Sequence, residues 1–165
     1  MTENTLENLT QAFIGEAKAY FRLKAFADTA DEEGYPQIAA LFRAIATAES
    51  VHAQRHFELL EKVKTTEENL KLSFEKEAFV NQVAYPEFIR QAWADGDKKA
   101  VWAFTSVRNA EERHAKLYKE ALTHMVADRQ TDYFVCTYCG WVEDGVRPDI
   151  CPNCQRPSEY FVRVE

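Results

Sequence analysis

Long apolar runs are missing from this chain of 165 residues. No stretch approaches the roughly 20 residues that a membrane-spanning helix requires, so a membrane is not an expected partner. Positive charge is also short: 20 Lys and Arg stand against 27 Asp and Glu, a formal net charge of -7. Binding a phosphate backbone needs clustered basic residues, so nucleic acid is excluded on the same footing. The opening segment "MTENTLENLT" lacks the basic-then-apolar order of a secretory leader, which gives a cytoplasmic expectation. Cysteine is absent before residue 136, and all four cysteines fall between 136 and 154. A disulfide framework would be spread along the chain, whereas two C-x-x-C pairs close together read as a metal site.

Glycine and proline number only five each, and up to about residue 128 they fall at regular intervals. Asn4-x-x-Glu7 predicts the start of a first helix running to Glu33, stopped by Gly34. Pro36 suits the first turn of a second helix reaching Val63. Thr65-x-x-Glu68 predicts a third helix to Asp95, with Pro86 kinking it or opening a wider turn. Asp97 caps a fourth that ends near Asp128. Four long helices with short connections predict a mainly α chain built on a four-helix bundle over residues 1–130. The remainder, residues 131–165, has short β-rich pieces at Tyr133–Val135 and Tyr160–Val164. A domain this small needs a metal for much of its folding energy.

The polar residues on the helix seams carry the chemistry. Leu6, Leu9, Phe13, Glu16, Tyr20, Leu23 and Ala27 lie at alternating steps of three and four. So do Ile38, Leu41, Ile45, Glu49, His52, His56, Leu59 and Val63, and again Phe104, Val107, Glu111, His114, Tyr118, Ala121 and Met125. Each stripe reads as core, with the aromatics Phe13, Tyr20, Phe42, Phe57, Phe104 and Tyr118 inside it, yet acid or imidazole interrupts each near its middle. An unpaired buried carboxylate costs several kcal/mol, roughly, and the seams hold no Lys or Arg at that depth. A bound cation would neutralise them. Glu49-x-x-His52 and Glu111-x-x-His114 place each acid and imidazole one turn apart on a helix face. "AESVHA" (48–53) and "AEERHA" (110–115) match at an offset of 62, which indicates a duplicated helical hairpin. Paired E-x-x-H motifs with single glutamates from the other helices are the ligand pattern of ferritin-like di-metal bundles. His56 is expected to be a hydrogen-bonded core histidine or a support for a ligand rather than a ligand. Cys136, Cys139, Cys151 and Cys154 make a tetrahedral thiolate site whose spacing suits zinc and iron equally.

Together these features resemble rubrerythrin, a ferritin-like bundle followed by a rubredoxin-like domain. "FIGEAKAYF", "LFRAIATAESVHA", "AYPEF" and "NAEERHAKLY" are similar to that family's four helices in order. Cys136-Thr-Tyr-Cys139-Gly-Trp and Cys151-Pro-Asn-Cys154 are similar to rubredoxin, with Tyr138, Trp141 and Phe161 as its aromatic core. The resemblance implies one iron rather than zinc at the thiolate site and a non-haem di-iron centre in the bundle. It implies reduction of hydrogen peroxide to water, with electrons reaching the bundle through the thiolate iron from an external donor, a reductase or a rubredoxin. By the same resemblance Glu49 and Glu111 match bridging ligands, Glu16 a terminal ligand, and His52 and His114 the imidazole ligands. It also implies a homodimer in which one chain's rubredoxin-like domain lies near another's di-iron site.

The sequence departs from that pattern in the third helix. Counting back from Pro86 in "YPEF" puts Val80 and Val83 where the family has carboxylates, and Leu23 where it has a tyrosine. Glu77 lies 34 residues before Glu111, close to the 33 between Glu16 and Glu49. It is expected to be exposed or to support a ligand, unless a register change near Pro86 brings it inward. Glu87 is expected at the surface. Three acids against the four charges of two ferrous ions would leave one metal position weak. The alternative function is therefore a metal-binding or electron-transfer protein with little peroxide turnover; a third reading has zinc in both sites.

Overall fold

The computed structural model describes residues 1–60, 62–125 and 130–164. Helix α1 (Glu3–Glu32) begins earlier than Asn4 predicts, because the Thr2 hydroxyl accepts the Thr5 N–H at 3.3 Å and caps it instead. Helix α2 (Pro36–Leu59) has Pro36 in its first turn and stops before Val63. There Leu60 N–H bonds back to both His56 and Phe57, tightening the last turn. The fourth predicted helix is described to His124; its expected end at Asp128 lies outside the described residues.

By compactness the chain divides into two units, Met1–Lys64 and Thr65–Glu165. The first is the α1–α2 hairpin. Within its two helices the buried residues are small: Ala19, Ala27 and Ala30 on α1, with Ala39, Ala46 and Ala53 at seven-residue steps on α2; Leu60, just past α2, is buried as well. Alanine lets two helices approach closely along one line. That line takes the contact, so the larger seam residues Leu6, Ile38, Leu41, Ile45 and Leu59 stay exposed instead of forming the expected core. The aromatic pairs Phe13–Phe57 and Phe26–Phe42 close the sides of the hairpin.

The second unit repeats this plan with an interruption. Helix α3 (Thr66–Phe79) opens on the predicted capping box, Glu68 N–H to Thr65 Oγ1 and Thr65 N–H to Glu68 Oε2, at 3.3 and 3.2 Å. It does not continue to Asp95. A π-helical turn, Val80–Ala84, separates it from α4 (Tyr85–Ala94), and Tyr85 N–H reaches Val80 C=O five residues back. Pro86 supplies no N–H and its ring crowds the preceding turn, so the wider turn relieves what a continuous α-helix would force. Asn81 Nδ2 ties the turn to α5 (Lys98–His124) by donating to Arg108 C=O at 2.8 Å. Asp97 caps α5 through Lys99 and Ala100 N–H, both at 3.0 Å.

The two hairpin bends are copies. Tyr35 N–H bonds to Ala30 C=O, and Asp97 N–H to Ala92 C=O, with Gly34 and Gly96 at φ +82° and +71° between them. Every one of these pairs keeps the offset of 62.

Beyond α5, β1 (Tyr133–Cys136) lies between β2 (Val142–Asp144) and β3 (Phe161–Val164) in an antiparallel sheet. Strand β2 has no counterpart in the sequence reading, and Tyr160 sits in a 3₁₀ turn rather than in β3. Cys136, Cys151 and Phe161 form the buried centre, with Trp141 against them. Tyr138 is not in that core; it is 46% exposed and lies under the Arg156 guanidinium.

Thr65→Ala should lower the stability of the protein by about 1 kcal/mol through loss of the capping box. The urea midpoint checks this, with Thr66→Ala, one residue inside the helix, as the nearly neutral control.

Candidate metal centres

Each unit gathers one triad of donors. Glu16 from α1 stands with Glu49 and His52 from α2, and Glu77 from α3 stands with Glu111 and His114 from α5; within each set the ligating atoms lie within 4.8 Å of one another. In both, the histidine Nδ1 is 2.9 Å from the glutamate Oε2 one turn before it. Two donors at right angles on one ion, with bonds of about 2.1 Å, stand about 3.0 Å apart. The donors are already spaced for a shared divalent cation.

The structure groups Glu77, half-buried, with Glu111 and His114 as a candidate third donor, where the sequence reading expected it exposed or supporting a ligand. The π turn is the reason. From Glu16 to Ala30 is 14 residues, whereas from Glu77 to the matching Ala92 is 15. The second hairpin carries one extra residue, and a π turn is the form one extra residue takes inside a helix. Counting backward from Pro86 by α-helical periodicity therefore misplaces the ligand. Val80 and Val83 belong to neither triad, and Val83 is exposed. The carboxylate count rises from three to four, matching two divalent ions. Glu87 is at the surface, paired with Arg90.

The His56 Nδ1 is buried and has no hydrogen-bond partner among the described residues.

Without a cation the second triad is electrostatically strained. Burial, and then the hydrogen-bonded carboxylate of Glu111, push the Glu77 carboxyl up to about 8. The Tyr85 phenol is raised by burial and by the carboxylates of Glu111 and Glu77. With an ordinary helix, residues 77 and 85 would diverge by about 80°; removing one residue for the π turn brings them within about 20° of one face.

The four cysteines form the third centre, all Sγ atoms within 4.8 Å. Cys136–Cys154 and Cys139–Cys151 are separated by 3.7 Å between sulfurs. Disulfide sulfurs would lie about 2.05 Å apart, whereas thiolates at about 2.3 Å from a tetrahedral metal lie about 3.8 Å apart. Two like knuckles build it: Gly140 N–H bonds to Cys136 C=O and Gln155 N–H to Cys151 C=O, at 2.9 and 3.0 Å. Both residues after the second cysteine have positive φ, which Gly140 adopts freely and Gln155 holds at +62°. Burial raises the Cys139 and Cys151 thiols, while backbone N–H groups of Cys139 and Tyr138 outweigh burial at Cys136 and lower it.

The thiolate domain docks on α5 of its own chain. Gly140 C=O, next to Cys139, meets His114 Nε2 at 2.9 Å. An acceptor at Nε2 requires the proton there and leaves Nδ1 free as a metal donor. His52 has no such partner for Nε2 among the described residues, and its side chain is 54% exposed.

The family model for rubrerythrin matches residues 7–122. The chain belongs to the rubrerythrin family. It is 35% identical to nigerythrin of Nitratidesulfovibrio vulgaris, over 96% of this chain and 85% of that one. It is 32% identical to a putative rubrerythrin of Methanocaldococcus jannaschii, over 96% and 92%. A solved structure of nigerythrin in a partially reduced state superposes with a TM-score of 0.61 at 34% identity, covering 99% of this chain and 88% of that one. Another solved state is described as fully reduced, all ferrous. The mainly α fold with a small four-cysteine domain is thus that of a rubrerythrin-family non-haem iron protein, with candidate di-iron donors and a four-cysteine site suited to one iron. No described helix is long and apolar enough to cross a membrane.

Glu77 holds its proton more tightly in the fold than in the unfolded chain. Its contribution to the stability of metal-free protein is full below its ordinary value of 4.5 and is lost as pH rises through about 8. Thermal midpoints of metal-free protein should fall across that window, and Glu77→Gln should flatten the fall.

Proposed function

We propose that this protein reduces hydrogen peroxide to water at a di-iron centre held by Glu16, Glu49, His52, Glu77, Glu111 and His114. Electrons come through an iron held by Cys136, Cys139, Cys151 and Cys154, fed by an external donor. The observation that carries the reading is the second triad: with Glu77 beside Glu111 and His114, each unit offers two carboxylates and one imidazole, the donor types and numbers of a ferritin-like ligand set. When bound, the iron pair supplies two electrons to the peroxide O–O bond, and the thiolate iron restores them singly.

The chain's own residues do the rest. The four carboxylates, Glu16, Glu49, Glu77 and Glu111, would hold two divalent ions and balance their charge. Gly140 C=O keeps the His114 proton on Nε2, so Nδ1 stays available to metal throughout. Tyr85, its proton firmly held, offers an O–H beside Glu77 and Glu111. The reaction takes up two protons with its two electrons, and this phenol is a donor at hand for one of them.

The ferrous protein should be oxidised by peroxide much faster than by dioxygen, with growth of the thiolate-iron absorption following; stopped-flow spectroscopy with each oxidant checks this. Equal, slow oxidation by both would instead support a metal-holding or electron-transfer role. Glu77→Ala should reduce metal in the helical part from about two ions to about one while leaving the thiolate absorption unchanged. Metal analysis per chain reads both.

A further inference from the structure

The surplus residue of the second hairpin has to sit somewhere, and its place decides which side chain reaches the metal. At the offset of 62, the residue that matches Glu16 is Ala78, not Glu77. Ala92, the counterpart of Ala30, keeps to that offset. With the surplus residue between 77 and 92, Glu77 takes the place that Glu16 has in the first hairpin, grouped with Glu111 and His114. With the surplus on the N-terminal side of Glu77, or in a plain α-helix, Ala78 would take that place instead. Neighbours on a helix stand about 100° apart, so only one of the two fits.

Pro86 does not make this choice. It lacks an N–H and crowds the turn before it, but a simple kink relieves that as well as a π turn does. The backbone does not make it either. A π turn that moves along a helix exchanges one set of N–H to C=O bonds for a similar set, and it is rare wherever it stands. A side-chain contact has to fix it. Val80, Val83 and Ala84 carry no hydrogen-bonding side chain, and Gln82 is exposed. Asn81 is half-buried and donates from Nδ2 to Arg108 C=O at 2.8 Å. A carbonyl has two lone pairs, so Arg108 can accept this bond beside a helical one. Arg108 lies one turn before Glu111 on α5, and Asn81 lies one turn after Glu77. The amide therefore grips α5 one turn along from the donors.

We infer that Asn81 is the positioning residue of the second triad: its bond to Arg108 holds the surplus residue on the C-terminal side of Glu77, so that Glu77 rather than Ala78 stands beside Glu111 and His114. Asn81 is not itself one of the donors. It acts through the register of the helix. The inference rests on the metal reading of that triad given above.

Cobalt binding tests it without turnover. Full-length protein with zinc in the four-cysteine site is dialysed to equilibrium against cobalt(II), and the ions held by the helical part are counted. The parent should take about two. Asn81→Ala should weaken one of them by roughly tenfold to a hundredfold, the usual cost of losing an outer residue that orients a ligand. This should be the ion that Glu77→Ala loses, so Asn81→Ala combined with Glu77→Ala should bind no worse than Glu77→Ala alone. Unchanged affinity in Asn81→Ala would overturn the inference.

Ala78→Glu separates register from general damage. Added to Asn81→Ala it should restore the second ion, because the relaxed register brings position 78 to the metal. In the parent, where that position points away from the donors, it should change little. A loosened fold would not be repaired by one new carboxylate, so failure to restore binding would overturn the inference. An equal gain in the parent would mark a general charge effect and overturn it as well. A parent that takes no cobalt in its helical part would overturn the metal reading instead.

Discussion

Everything in the helical part turns on carboxylates held too close together for an apolar surround. Glu77 and Glu111 share a hydrogen bond, and one of them can ionise only against burial and the charge of the other. No Lys or Arg stands among the donors of either triad. In a protein whose net stability is a small difference between large terms, such a pair persists only where something else is gained. A divalent cation would reverse this: it would favour both ionised acids and turn the repulsion into energy that draws α3 against α5. Glu16, Glu49 and His52 gather the same donor types between α1 and α2.

Duplication explains the likeness of the two triads, and a single residue explains their difference. The bends at Gly34 and Gly96 share their hydrogen-bond pattern, and Glu49 with His52 is repeated in Glu111 with His114, all at one offset. Glu16 and Glu77 break it by one. An added residue in a straight α-helix would rotate everything upstream by about 100° and carry Glu77 off its partners. The π turn absorbs that rotation locally, beside Pro86, where α-helical bonding is already impaired, and Asn81 anchors it to Arg108. The ligand geometry survives because the backbone, not the side chain, takes up the misfit.

The sequence displays most of this, and its silences have physical causes. Helix number, both bends, the Thr65 and Asp97 caps, the paired E-x-x-H motifs and the two cysteine knuckles are all local patterns, and local patterns survive in one dimension. Glu77 was visible only as a near-match in spacing, because a π turn has no strong composition signal and periodicity arguments assume 3.6 residues per turn. The offset itself was the better guide, since 34 against 33 already marked one surplus residue. Strand β2 was hidden because "VED" has neither length nor alternation. The exposed Leu41 and Ile45 show that a seam states what a helix can bury, and not what its own hairpin buries. Tyr138, read as core, is drawn out by Arg156, a contact fixed by knuckle geometry rather than hydropathy.

The two histidines show how a duplicated site becomes directional. His52 and His114 occupy matching positions and make the same 2.9 Å contact to their glutamates. His114 Nε2 is held by Gly140 C=O and its side chain is mostly covered; His52 Nε2 has no such partner among the described residues and its side chain is half exposed. An imidazole whose Nε2 proton is held keeps its tautomer and leaves Nδ1 for a metal. The π turn, the Tyr85 hydroxyl and the docked thiolate loop all belong to the unit that holds His114. Symmetry builds the pair of donor sets, and the departures from it collect in one half.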